Sequence, residues 1–234
     1  YEIFYGIGLS GLLHYMVTFN TGQRRMSLPV QLEIMRQPLI EQYRQANIQI
    51  FSDITKLPGQ QKPKEQFAAS DLALATEAFI SANPQLTATV ETEKFLNENQ
   101  AYLDDVGEID HVVKALKIIC TSLHPAVEKS YLHDTSRRYI LSGGGVFLIS
   151  LAAAAGKIRM YSNMRQLEIA LEKLQGEFKL YPDDPLNLED YQKVVGGITT
   201  SRGKTIRRIV YDTFLRFFNG ATARLDWADA FRQI

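Results

Sequence analysis

Between Arg138 and Lys157 the chain runs for 18 residues, Tyr139 to Gly156, without an Asp, Glu, Lys or Arg. A helix of that length rises roughly 27 Å, close to the thickness of a bilayer core. Such a run either spans a membrane or lies at the centre of a helical domain that closes around it on every side. The residues favour the second. Ser142 and the consecutive Gly143, Gly144 and Gly145 interrupt the run, and its second half is Ser150 followed by Ala152 to Ala155. Basic residues flank both ends, so charge gives no orientation across a membrane. The other uncharged run, Ile3 to Gln23 ahead of Arg24-Arg25, contains His14, Asn20 and scattered glycines and is an equally poor span.

A buried central helix needs a chain able to enclose it. With 234 residues, 45% hydrophobic and 22% charged, this chain has the composition of a folded globular protein. Its single cysteine, Cys120, excludes an internal disulfide framework and any site built on several thiolates. Lys and Arg number 26, as do Asp and Glu, so net charge does not drive binding to nucleic acid or lipid. The balance conceals segregation. By segment, residues 1–50 carry +1, 51–110 carry −7, 111–165 carry +6, 166–200 carry −4 and 201–234 carry +4. Blocks of this kind either neutralise one another within one fold or leave one acidic and one basic face.

Local signals predict helices nearly throughout. The first twenty residues, rich in aromatics and glycine, read as an apolar arm or as a first core helix over Leu9 to Val17. Ser27 and Pro29 start a helix that Pro38 restarts or kinks. Leu39, Ile40, Tyr43, Ile50 and Ile54 form an apolar stripe, which Leu57-Pro58-Gly59 ends. Only residues 47–51 suggest a strand. Further helices are predicted over Lys64 to Ala82, stopped by Asn83-Pro84, and over Thr89 to Leu103. The next is capped by Asp110, with Val112, Val113, Leu116, Ile119, Cys120 and Leu123 inward. His124-Pro125 closes it, and Pro125 opens another to about Ile140. The apolar run then continues to Ala155. Helices follow over Asn163 to Gln175, Asn187 to Val195, Lys204 to Phe218 and Ala223 to Phe231. The expectation is an all-α chain, a compact bundle of about nine or ten helices. Its expected division is an arm over 1–25, a lobe over 26–142 and a second lobe over 143–234, with a single domain as the alternative.

Most candidate chemistry fails on spacing. Gly197-x5-Gly203-Lys204-Thr205 has five residues between its glycines, where a phosphate-binding loop has four. Glu108-x2-His111 puts a carboxylate and an imidazole on one helix face, but a di-iron bundle needs a second such pair, and none exists. Cys120 and His124 stand four residues apart, yet Cys120 falls on an apolar stripe, which favours an inert thiol. Asp104-Asp105 and Asp183-Asp184 read as caps and turns. Ser142 to Gly145 could wrap a phosphate at a helix start, though a packing role fits better. No catalytic residue, cofactor or metal is expected.

The stretch Thr199 to Arg224 is the most informative. Ile206, Ile209, Val210, Phe214 and Phe217 share one face of a helix from Lys204, while Lys204, Arg207, Arg208 and Tyr211 occupy another arc. A flexible loop with Ser201 and Arg202 feeds it. Cations hold phosphates and aromatics stack on unpaired bases. Arg137, Arg138, Lys157 and Arg159 are expected to extend the same groove. The function that follows is non-enzymatic: an intracellular, self-associating, nucleoprotein- or coat-like protein holding single-stranded nucleic acid, RNA in particular, without reading bases. The alternative is a helical adaptor or membrane-associated protein using 3–23 and 139–156.

Overall fold

The computed structural model describes residues 8, 11, 12, 15, 27–63, 66–86, 106–132, 145–161, 164–177 and 200–223. This part of the chain is mostly α-helical, as the sequence predicts. Seven helices are described: α1 (Leu28–Met35), α2 (Gln37–Gln45), α3 (Ala69–Ser81), α4 (Val106–Leu132), α5 (Gly145–Tyr161), α6 (Met164–Glu177) and α7 (Thr200–Phe218). Two short strands, β1 (Ile50–Phe51) and β2 (Phe67–Ala68), pair in parallel, Ile50 opposite Phe67.

The proline signals act as their chemistry requires. Ser27 is extended and Pro29 lies in the first turn of α1. Pro38 has no N–H to give the Ile34 carbonyl, so the ladder breaks at Arg36 and restarts as α2. Asn47, with φ of 65°, turns the chain out of α2, and Ala82, with φ of 53°, ends α3. The β1 strand falls within the residues 47–51 that suggest one.

Four boundaries differ from the sequence reading. The helix expected from Lys64 begins at Ala69, because Phe67 donates its N–H to Gln49 and pairs as strand instead. Asp110 does not cap α4, which already starts at Val106. The backbone of α4 runs through Pro125, since one proline removes one ladder bond and leaves its neighbours intact. Residues 201–203 are helical and not a loop, because a lone Gly203 costs a helix only about 1 kcal/mol.

The described part of the uncharged run, Gly145 to Gly156, lies in α5, at the centre of the packing. It lies between α3 and α7 and also meets α4 and α6. Phe147 through Ala155 are buried on all sides. Each fully buried Leu or Ile contributes roughly 1.5–3 kcal/mol relative to exposure. Among the described residues no helix is long and apolar enough to cross a membrane.

Glycine fixes how α3 and α5 meet. A Cβ on Gly156 would stand 1.9 Å from the Phe79 carbonyl oxygen, and one on Gly145 would stand 2.8 Å from Asp71 Oδ1. Start meets start and end meets end, so the two helices run parallel. One core draws on residues from both sides of Gly143: Leu32, Tyr43, Leu72, Phe79, Leu116 and Ile119 join Leu148, Leu151, Leu167 and Phe214.

Buried charges order the surroundings of α3. Arg36 Nε donates to Glu77 Oε1 at 2.7 Å, with the two side chains 2% and 0% exposed. The Tyr43 hydroxyl donates to Thr76 Oγ1 at 2.6 Å, and Thr76 in turn donates to the Leu72 carbonyl at 2.9 Å. Buried Glu33 accepts from the backbone N–H of Asp53 at 2.5 Å and of Ile54 at 3.0 Å, and from the Ser52 hydroxyl at 2.8 Å. That grip presents Asp53 to the start of α3, where its Oδ2 accepts the Ser70 N–H at 2.9 Å.

Candidate nucleic-acid interface

The predicted cations are built on two helices, α5 and α7. Val210, Phe214 and Phe217 seat α7 in the core, as its apolar stripe requires, and Ile209 is half-buried beside them. Tyr211, read from the sequence as part of the cationic arc, is 7% exposed and belongs to the same buried face. The inward face is wider than the Ile–Val–Phe stripe alone.

Arg207 and Arg208 are chain neighbours with different surroundings. Arg208 is 64% exposed; its Nε donates to Asp212 Oδ2 at 3.0 Å, one turn on, and its guanidinium lies 6.0 Å from the centre of the Tyr211 ring. Arg207 is turned inward. Its guanidinium donates to the Leu86 carbonyl beyond the end of α3, and it lies within the electrostatic reach of Asp71. Burial lowers its pKa, and the Asp71 charge acts in the opposite sense. Arg216, in the last turn, is exposed.

Arg159 stands elsewhere. It binds the Glu108 carboxylate, lies 5.9 Å over the Phe79 ring and is 19% exposed. Arg207 reaches the Leu86 carbonyl, whereas Arg159 lies over Phe79 near the end of α3 and pairs with Glu108 of α4. Lys157 is half-buried near Arg159 in sequence. Among the described side chains, Arg207 and Arg208 are chain neighbours on α7, and Arg159 on α5 is engaged by Glu108 and Phe79. Ser201, Arg202 and Lys204 occupy the first turns of α7, and the side chains of 200–206 lie outside the described residues. Arg137 and Arg138 lie outside them too, as do Gly143 and Gly144.

Of the motifs weighed from sequence, Glu108-x2-His111 and Cys120 have described side chains. His111 Nδ1 is 4.0 Å from Glu108 Oε2, but that carboxylate is engaged by Arg159. Cys120 is 3% exposed, and burial pushes its thiol well above the ordinary range, which keeps it protonated and unreactive.

Sequence reasoning missed Asp71, a carboxylate in the first turn of α3 set against Gly145 at the start of α5. Burial pushes its pKa up to about 6; Lys62 and Arg207 pull it down and Asp53 pushes it further up. A signal for it did exist. Asp71 and Glu77 are the only charges in a 13-residue helix otherwise free of them, and a helix so apolar is buried over most of its surface, Glu77 fully and Asp71 in part.

Comparison with protein-family models, curated proteins and solved structures finds no match for this chain.

Proposed function

We propose that this chain is a non-enzymatic, self-associating protein that holds single-stranded nucleic acid by its phosphates, with the outward side of α7 as the contact. The observation that supports this reading is the state of Arg208. Its guanidinium is exposed, and its ion-pair partner is an exposed carboxylate at i+4. Such pairs add little to stability, so a phosphate can replace Asp212 at small cost. Arg216 lies exposed two turns on, and Arg202 and Lys204 precede it on the same helix. Arg159 and Tyr211 have no part in this contact: one serves the α4–α5 junction and the other the core. The wider proposal keeps nine or ten helices in two lobes, an intracellular setting, and the apolar N-terminal arm as the means of association between copies.

Binding of a fluorescent oligonucleotide across a salt series tests it. Replacing Arg208 and Arg216 with Ala should weaken binding equally for unrelated sequences, and should reduce the slope of log affinity against log salt by about two. A double variant that binds like wild type overturns the reading. Nucleic acid co-purifying with a large assembly would support it, and a nucleic-acid-free monomer would count against it.

A further inference from the structure

The pairing of β1 with β2 holds the two ends of the segment between them close together, so that segment is a closed surface loop. Every residue from Ile54 to Gln61 is exposed. Two of them are large apolar side chains three positions apart, Ile54 at 46% and Leu57 at 67% exposure, and Pro58 follows. Leu57 is the most exposed large hydrophobic among the described residues. A lone apolar side chain on a surface is ordinary, but this pair sits on a backbone pinned along its length. At the root, Glu33 accepts the Asp53 and Ile54 N–H groups and the Ser52 hydroxyl, and Ser52 Oγ accepts the Thr55 N–H at 3.3 Å. At the tip, the Gln60 N–H donates to the Leu57 carbonyl and the Leu57 N–H to Gln60 Oε1, each at 3.0 Å. Pro58 and Gly59 form the corner between them, Gly59 with a φ of 79° that glycine adopts without strain. From Asp53 to Gln60, only the N–H groups of Lys56 and Gly59 are left to solvent.

The charges around the loop are sorted by sign. Glu33 is buried at the root, and Asp53 turns its carboxylate back onto the Ser70 N–H. From Ile54 to Pro63 the chain carries Lys56 and Lys62 and no Asp or Glu, within a block, 51–110, that is acidic overall. The loop therefore offers solvent an apolar pair and the exposed Lys56, with Lys62 half-buried nearer the root. We propose that this loop docks on an anionic lipid surface: Ile54 and Leu57 enter the interfacial layer, and Lys56 meets the headgroup phosphates. Each feature of the loop serves that contact. Apolar side chains beside lysines are what an interfacial layer over anionic lipid accepts. Most of the backbone donors are already bonded, so little is left unsatisfied when the tip loses water. The fixed turn means that little ordering remains to be done on contact. A nucleic acid would use Lys56 but leave the apolar pair idle, and an apolar protein pocket would use the pair but give no reason for the inward carboxylates. One such loop holds weakly, and several copies on one surface would hold firmly. The phosphate contact on α7 has no part in this proposal.

Cosedimentation with sucrose-loaded vesicles tests it. Wild type should sediment with phosphatidylcholine vesicles containing about a third phosphatidylserine, and far less with phosphatidylcholine alone. Ile54→Ser and Leu57→Ser should each lower the partition coefficient on the mixed vesicles about tenfold. Lys56→Gln should lower it about fivefold there and leave the residual binding to phosphatidylcholine unchanged. All three side chains are exposed, so the variants should melt as wild type does. A second measurement reads the tip itself. Cys120 is buried, so an environment-sensitive thiol dye on Leu57→Cys reports from the loop, and its emission should shift to the blue when the mixed vesicles are added. No sedimentation of wild type, sedimentation that both serine variants retain in full, or a dye that does not shift overturns the proposal. If wild type self-associates without lipid and Leu57→Ser does not, the loop meets a second copy and the lipid proposal falls. Oligonucleotide binding by the serine variants should match wild type, so either reading can fail while the other stands.

Discussion

At the scale of single residues, position decides what a charge does. Asp71 has an unfolded value near 3.8 and a folded value of about 6. The folded chain therefore binds this proton more tightly than the unfolded chain. The stability it contributes is fully present below about pH 3.8 and is lost as pH rises through about 6. Asp71→Asn should accordingly be more stable than wild type at neutral pH, by about 2–3 kcal/mol as an upper figure, and should lose that part of the pH dependence between 4 and 6. Urea unfolding at several pH values measures both. Arg207 and Arg208 show the limit of reading charges from sequence. They are adjacent and chemically identical, yet one faces the core and the other water. Periodicity gives the helix and its apolar stripe, but not the breadth of the buried face. Tyr211 and Arg207 lie at its margin, where the position of α5 and the carbonyl of Leu86 decide.

At the scale of elements, the α3–α5 contact is the tightest glycine approach among the described residues. Gly156→Ala places a methyl 1.9 Å from the Phe79 carbonyl oxygen and 2.7 Å from its carbon, both backbone atoms of a packed helix. Replacing Gly by Ala within a helix gains about 1 kcal/mol in propensity, but forcing α3 and α5 apart should exceed that gain and leave a net loss of about 1–3 kcal/mol. Gly145→Ala meets only the end of the Asp71 side chain, at 2.8 Å, and should cost less. Thermal melts of the two variants in parallel check the order. Much of this level was legible beforehand. Pro29, Pro38 and Asn83-Pro84 mark real boundaries, and the uncharged run from Tyr139 is a buried helix over its described part. The errors share one cause. Phe67, Pro125 and Gly203 carry local signals that a distant partner or a long helix overrules: Gln49 draws Phe67 into a strand, and α4 and α7 are long enough to carry one imperfect residue each.

At the scale of the whole molecule, both halves of the chain contribute to one core. Leu72 and Phe79 lie against α5, and α6 meets α4 both by packing and through Lys114 Nζ and Glu168 Oε1 at 2.6 Å. Residues 26–142 expressed alone would present the uncovered Ala73, Ala75 and Phe79 to water. That fragment should show no cooperative thermal transition, and adding residues 143–234 in trans should restore one; calorimetry reads both. The buried pair of Arg36 and Glu77 acts at this scale too, tying the break between α1 and α2 to α3.

The parallel setting of α3 and α5 bears on how quickly the protein can assemble. Antiparallel neighbours are joined by a tight hairpin, whereas these two partners stand about seventy residues apart along the chain. Their contact cannot form until the intervening chain has been drawn into a closed loop, at an entropic cost that only the completed core offsets. The described helices thereby depend on a contact far apart in sequence, and the protein should refold more slowly than a bundle of hairpin-connected helices of its size.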